Sequence, residues 1–298
     1  MSDGHQSPDI ALSNQRVAVV GLGLIGGSLA LALRHKVAHL TAVDPNAKVR
    51  DLALDRSIVD EATGDLAAGV DGADIVILAP PVRTIIALIE QVGSMLPEGC
   101  VLIDTGSSKT DICKAMEALP PHVVPVGGHP MAGKETPGLQ AAEGSLFADR
   151  PFVLCPVRDS IPSLAEGLVR ALGAFPLPLS AERHDMLAAA ISHVPYLLSV
   201  ALVRMVAQVS LKDPWVWTLA ATGFGDVSRV AASDVTMMHD TLVTNRAAVL
   251  QMARQTREAL DALIDALDPA CDGALDLRAQ LFEAQAGRLR WAPYRRQP

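Results

Sequence analysis

The sequence predicts an α/β fold, with a helix-covered parallel sheet in the first half of the chain and an all-helical second half. Two observations predict it. Short, continuously apolar runs alternate with helical stretches up to about residue 160, and beyond that point the strand signal fades and long helical patterns take over. At 298 residues, with half of them apolar and 19% charged, the chain has the composition of a folded protein and the length of two domains. The expected division is a polar, flexible tail over 1–15, a sheet domain over 16–160 and a helical domain over 161–298.

The sheet elements follow in order. Arg16–Gly21 (RVAVVG) reads as a strand buried on both faces, and Leu40–Val43, Asp74–Ala79, Cys100–Asp104, Val123–Val126 and Phe152–Cys155 read the same way. Helical segments lie between them, as at Gly26–His35 and Thr84–Met95. The apolar run Val17–Leu33 is short for a membrane span and holds four glycines, and the residues before it have no basic start, so no membrane partner is expected. In the second half the helical stretches are Ser163–Leu172, Ala181–Val209, Val227–His239 and Leu242–Leu267, with Ser180 as N-cap of the second.

Charge and cysteines narrow the function. Twenty-five basic against 33 acidic residues give a net charge of −8, which argues against a nucleic-acid partner. Cys100, Cys113, Cys155 and Cys271 contain no C-x-x-C pair and no nearby histidine, so neither a metal site nor a disulfide framework is expected, and a reducing cytoplasm fits.

Gly21-Leu22-Gly23-Leu24-Ile25-Gly26 fits G-x-G-x-x-G, follows a strand and opens a helix, the context of a Rossmann-type dinucleotide site. Its glycines permit a tight turn, and the helix N-terminus around Leu24 and Ile25 offers N–H groups to a pyrophosphate. Asp44 ends the second strand 18 residues after Gly26, where a carboxylate accepts hydrogen bonds from a ribose diol and repels a 2′-phosphate. NAD is therefore expected over NADP, with Lys48 and Arg50 the cations nearest in sequence.

Ligands of such sheets bind beyond the carboxyl ends of the strands. There Pro80 and Pro81 either simply stop a strand or also wall the nicotinamide ribose. In Asp104–Lys109 (DTGSSK) one serine is expected to cap the next helix while the other faces the cleft. His129, in Gly127–Gly133 (GGHPMAG), is expected just past a strand end, where a neutral imidazole can take a proton from a substrate hydroxyl as a hydride leaves the same carbon. In the helical half Pro195 should kink its helix, for a cleft or for packing. Arg229 is expected in the first turn of a helix capped by Asp226, where a cation suits an anionic ligand; pairing with Asp226 or Asp234 is the plainer alternative.

Together, DTGSSK at 104–109, GGHPMAG at 127–133, SHVP at 192–195 and GFGDVSRVAASD at 223–234 resemble the prephenate/arogenate (cyclohexadienyl) dehydrogenase family of tyrosine biosynthesis, over Arg16 to about Leu267. The resemblance implies NAD(P)-dependent oxidative decarboxylation of a cyclohexadienol and a homodimer formed through the helical domain. It makes His129 the base, Ser107 the serine beside the same hydroxyl, Arg229 the grip on the ring carboxylate, Ser192 a substrate neighbour and Glu135 an acidic gate. The sequence departs from the family at Tyr196, where some members carry a second histidine, and at Val235 and Met238 in place of Pro and Trp. The substrate is thus expected to be prephenate, arogenate or both. Two other readings stand beside it. A β-hydroxyacid or imine-reducing dehydrogenase would use a lysine of the helical half, which has only Lys212, and a non-catalytic NAD-binding protein would have no use for His129 and Ser107.

Overall fold

The computed structural model describes residues 12–134, 136–271 and 276–294. Eight strands form one sheet: β1 (Arg16–Val20), β2 (His39–Val43), β3 (Glu61–Thr63), β4 (Ile75–Leu78), β5 (Val101–Asp104), β6 (Val124–Pro130), β7 (Pro151–Pro156) and β8 (Phe175–Pro178). Their order is β3-β2-β1-β4-β5-β6-β7-β8, and every neighbouring pair is parallel except β6 with β7. Helices α1 (Leu24–Leu33), α2 (Ala47–Asp55), α3 (Leu66–Val70), α4 (Val82–Val92), α5 (Thr110–Glu117) and α6 (Ser163–Ala171) accompany the strands.

The continuous apolar strands are explained by two cores, one on each face. Val17, Val19, Ile75, Ile77 and Ile103 pack with Leu29, Leu33 and Leu168 on one side. Ala18, Val20, Val76, Leu78 and Leu102 pack on the other with Ile85 and Ile89 of α4 and Met116 of α5. Alternate residues of each strand serve opposite cores, so β4 is apolar throughout and β1 from Val17 onward.

Three sheet expectations need correction. Strands β3 and β8 carry no apolar run; β8 reads Phe-Pro-Leu-Pro, and its prolines are tolerated because it is an edge strand. The sheet therefore continues to Pro178, past the boundary expected near residue 160, and α6 belongs with the sheet. The tail does not extend to residue 15: Leu12–Asn14 forms a 3-10 turn, Leu12 is buried in the core, and Gln15 accepts a hydrogen bond from Ala38 N at 2.8 Å.

The helix expected from Ala181 begins there. Ser180 caps α7 (Ala181–Ala188), accepting from Arg183 N at 3.2 Å. The helix then widens into a π turn, Ala189–His193, before α8 (Val194–Ser210). Pro195 lacks the donor that a regular α-helix needs at its position, and this wide turn lies immediately before it. The remaining helices are α9 (Trp215–Leu219), α10 (Thr222–Ser228), α11 (Val235–Thr244), α12 (Arg246–Leu267) and α13 (Leu277–Tyr294). The single helix expected over 227–239 is instead broken. Asp226 lies inside α10, and Asp234 is the cap that starts α11, accepting from Met237 N at 2.7 Å.

One close approach fixes the turn between β1 and α1. Gly21 has φ +91°, and a Cβ on Gly26 would lie 1.8 Å from Gly21 O. Gly26→Ala must push the two apart, and calorimetry should show a melting temperature lowered by about 3 °C or more. An unchanged melt would mean that the turn is not built on this contact.

Candidate active site

The strand order reverses between β1 and β4, and the groove opens there, as the topology of open α/β sheets requires. A cavity of about 530 Å³ is lined by Gly21, Gly23, Asp44, Gly64, Pro80 and Thr84, among others. Gly23 is the N-cap of α1, so the N–H groups of Leu24, Ile25 and Gly26 have no acceptor inside the helix. Asp44 accepts from Leu22 N and Asn46 N, both at 2.9 Å, which aims its carboxylate at this cavity's wall and leaves lone pairs for a diol. Arg50 donates to Asp44 O at 2.7 Å. Pro80 lines the same cavity and packs closely on the glycine turn, its N lying 3.1 Å from where a Cβ on Gly21 would be. Donors at a helix start, an acceptor at the end of β2 and a void between them fit a dinucleotide.

Beside the groove, at the ends of β5 and β6, sits a buried ion pair. Lys109 and Asp104 are both fully buried and bonded to each other. Asp104 also accepts from Gly106 N at 2.7 Å and Gly128 N at 2.8 Å, while Lys109 Nζ donates to Gly128 O at 2.6 Å. Charges removed from water are tolerated only when hydrogen bonds satisfy them this completely. The pair fixes the backbone one residue before His129. Glycine is required there, since a Cβ on Gly128 would lie 2.3 Å from Asp104 O.

His129 lies within β6 and not in a loop past its end. The antiparallel partner β7 extends the strand, pairing His129 with Val153. Its ring Nδ1 is 2.8 Å from His184 Nε2, and His184 Nδ1 is 2.8 Å from Asp185 Oδ1. Burial, followed by the positive charge that His184, Lys109 and His193 can present, holds His129 well below the usual imidazole range. At neutral pH it is therefore a neutral base. Burial pushes Asp185 up, but bonds from His184, Thr110 and Lys109 outweigh it and hold the carboxyl below its usual range.

Asp185, not a serine, caps α5. Its carboxylate accepts from Lys109 N at 2.6 Å and Thr110 N at 2.8 Å. Both serines of the loop are tied to α11 instead: Ser107 Oγ is 2.7 Å from Thr241 Oγ1, and Ser108 Oγ is 2.7 Å from Thr244 Oγ1. Each threonine already donates to a helix carbonyl, Met237 O or Asp240 O, so the serines are the donors. Ser107 has no bond to His129. Asn245 Nδ2 donates to Asp185 O at 2.8 Å and to His193 Nδ1 at 3.1 Å. The site is thus braced from the helical part by α7, α11 and the residue between α11 and α12.

The other expected residues are placed as follows. Ser192 is exposed in the π turn, and its buried neighbour His193 is the one that joins the network. Arg229 follows α10 and opens a 3-10 turn, Arg229–Ala232, so it does begin a helical segment, but one that Asp226, inside α10, does not cap. Glu135 lies outside the described residues. Among the described residues no cluster of potential metal ligands occurs. Sequence reasoning missed His184, Asp185, His193 and Asn245 as site residues. An adjacent His-Asp pair just inside a capped helix was the available signal.

Family models of prephenate dehydrogenase match most of the chain: the nucleotide-binding domain over residues 29–172 and the dimerization domain over residues 180–281. The chain belongs to the prephenate dehydrogenase family. It is 32% identical over 254 residues to a prephenate dehydrogenase of Lactococcus lactis, covering 84% of this chain and 70% of that protein. It is 33% identical over 244 residues to a cyclohexadienyl dehydrogenase of Zymomonas mobilis, covering 79% and 83%. The solved prephenate dehydrogenase of Aquifex aeolicus, in complex with hydroxyphenyl propionate and NAD+, superimposes with a TM-score of 0.85 at 28% identity, covering 94% of this chain and 99% of that one. A Synechocystis arogenate dehydrogenase gives a TM-score of 0.80 at 30% identity, covering 93% and 100%. Prephenate, cyclohexadienyl and arogenate dehydrogenases thus all stand among its relatives.

The buried network makes the fold acid-sensitive. Burial lowers His193 to about 4, although Asp185 opposes the shift. The unfolded chain then binds the proton that the folded chain refuses, so stability is complete above about pH 6.5 and falls as pH drops towards 4. His193 alone should cost about 2 kcal/mol between pH 7 and pH 5. Denaturant unfolding should show that loss reduced in His193→Gln; an equal loss in both proteins would contradict it.

Proposed function

We propose that this protein, an NAD-dependent dehydrogenase by family, oxidatively decarboxylates prephenate, arogenate or both, with His129 as base. The observation that carries the reading is a neutral imidazole on a rigid strand beside a dinucleotide groove. NAD, when bound, accepts the hydride from the ring carbon that bears the hydroxyl. His129 takes the hydroxyl proton, Arg229 pairs with the ring carboxylate before it leaves as CO2, and aromatisation of the ring drives the reaction. Ser107, which bonds Thr241 in the free protein, stands beside the same hydroxyl and can donate to its oxygen by turning from Thr241. Ser192 is a substrate neighbour in this reading, Glu135 keeps the role of acidic gate that the resemblance implies, and Asp44 favours NAD over NADP.

The helical part supplies the dimer interface in this reading. Ile191, Leu198, Met205, Trp215 and Leu219 are exposed large apolar residues of one protomer, in the stretch that matches the family's dimerization domain. Covering them with a second copy removes apolar surface from water. Free cysteines, three of them buried, suit a cytoplasmic enzyme. A lysine-based reductase finds no support here: Lys109 is consumed by Asp104, and Lys212 is exposed beyond α8.

Reduction of NAD or NADP followed at 340 nm with prephenate and with arogenate tests the reading. His129→Ala should lower kcat by roughly 10²–10⁴-fold with a smaller effect on KM. Turnover near the parent rate would remove it as the base. Because His129 is held below the usual imidazole range, kcat should stay high as pH falls through 6.5 and decline only at more acid pH. Arg229→Ala should mainly raise KM for the substrate; an unchanged KM would place it outside the site.

A further inference from the structure

We infer that Asp185, acting through His184, is the positioning residue that decides which nitrogen of His129 is the base, and that the same carboxylate holds the serine loop in register with it. The inference rests on the reading of His129 as base and concerns what makes it one.

The argument is a chain of donors and acceptors. An ionised carboxylate can only accept, so the 2.8 Å contact between Asp185 Oδ1 and His184 Nδ1 puts the His184 proton on Nδ1. With one proton on that ring, His184 Nε2 is an acceptor. The 2.8 Å contact to His129 Nδ1 then puts the His129 proton on Nδ1. His129 Nε2 is left with its lone pair, the form a general base needs. Once it has taken the substrate proton, the imidazolium still donates through Nδ1 to a ring backed by a carboxylate, so the new charge has a partner. No proton need travel further along the chain.

The other groups around His129 do not compete for this role. Lys109 is held by Asp104 and Gly128 O. His193 faces Asn245 through Nδ1. Asp185 meanwhile accepts from Lys109 N and Thr110 N, directly after Ser107 and Ser108. One side chain of the helical part thus orients the base on β6 and fixes the start of α5.

Asp185→Ala and His184→Leu test this. The first removes the acceptor of His184 Nδ1, and the second breaks the chain while keeping the α5 cap. We expect kcat to fall in both by roughly 10²–10⁴-fold, the size of other wrong-tautomer losses, with the NAD+ dissociation constant of His184→Leu within about threefold of the parent. Asp185→Asn is the conservative rescue: an amide oxygen in the place of Oδ1 still accepts from Lys109 N and His184 Nδ1, so it should keep more of the parent kcat than Asp185→Ala. Nitrogen-15 NMR of the histidine rings, recorded without substrate, should show His129 protonated on Nδ1 in the parent. A parent His129 protonated on Nε2, or His184→Leu with parent kcat, overturns the inference. The spectrum needs no substrate, so it can fail while the His129→Ala result stands, or hold while that result fails.

Discussion

Lys109 carries its charge where water does not reach. Its counter-charge is Asp104, and the two are joined by the backbone of Gly106 and Gly128 into a closed set of hydrogen bonds. Removing either partner would strand the other, a loss of about 3–5 kcal/mol in comparable buried pairs. Such a pair is a costly way to add stability, but it fixes positions tightly. Here it welds the end of β5 to β6 one residue before His129, so the proposed base follows directly on a fixed backbone.

Around that weld the helical part contributes what the sheet cannot. Asp185 on α7 caps α5 and reaches His129 through His184, while Thr241 and Thr244 on α11 receive the two serines of the loop. Most of these bonds join residues far apart in sequence, and most are buried or partly buried. In the proposed reading, groove and base come from the sheet, whereas the orientation of base and loop comes from the helices.

Much of this was readable from the residues. Strands buried on both faces announce themselves as apolar runs, and a glycine loop between strand and helix with an acid at the end of the next strand is specific to its task. Strands β3 and β8 were invisible because they lie towards the sheet edges, where packing no longer demands apolar residues and proline is allowed. His129 was expected in a loop, because the strand that extends β6 is its antiparallel neighbour β7 and local sequence does not show such pairing. The helix before Arg229 was misjudged, since glycines 223 and 225 read as breaks although both lie inside α10. Asp185 and His184 were missed for a different reason. Their role exists only through contacts to residues 55 to 76 positions away, which no local pattern encodes.

The account turns on His129 being uncharged when substrate arrives. Titration of its ring by NMR in the intact protein measures that directly. The account predicts a ring that remains neutral through pH 6.5 and takes its proton only at clearly more acid pH, in keeping with its burial and its neighbours. Protonation at or above pH 6.5 would contradict it.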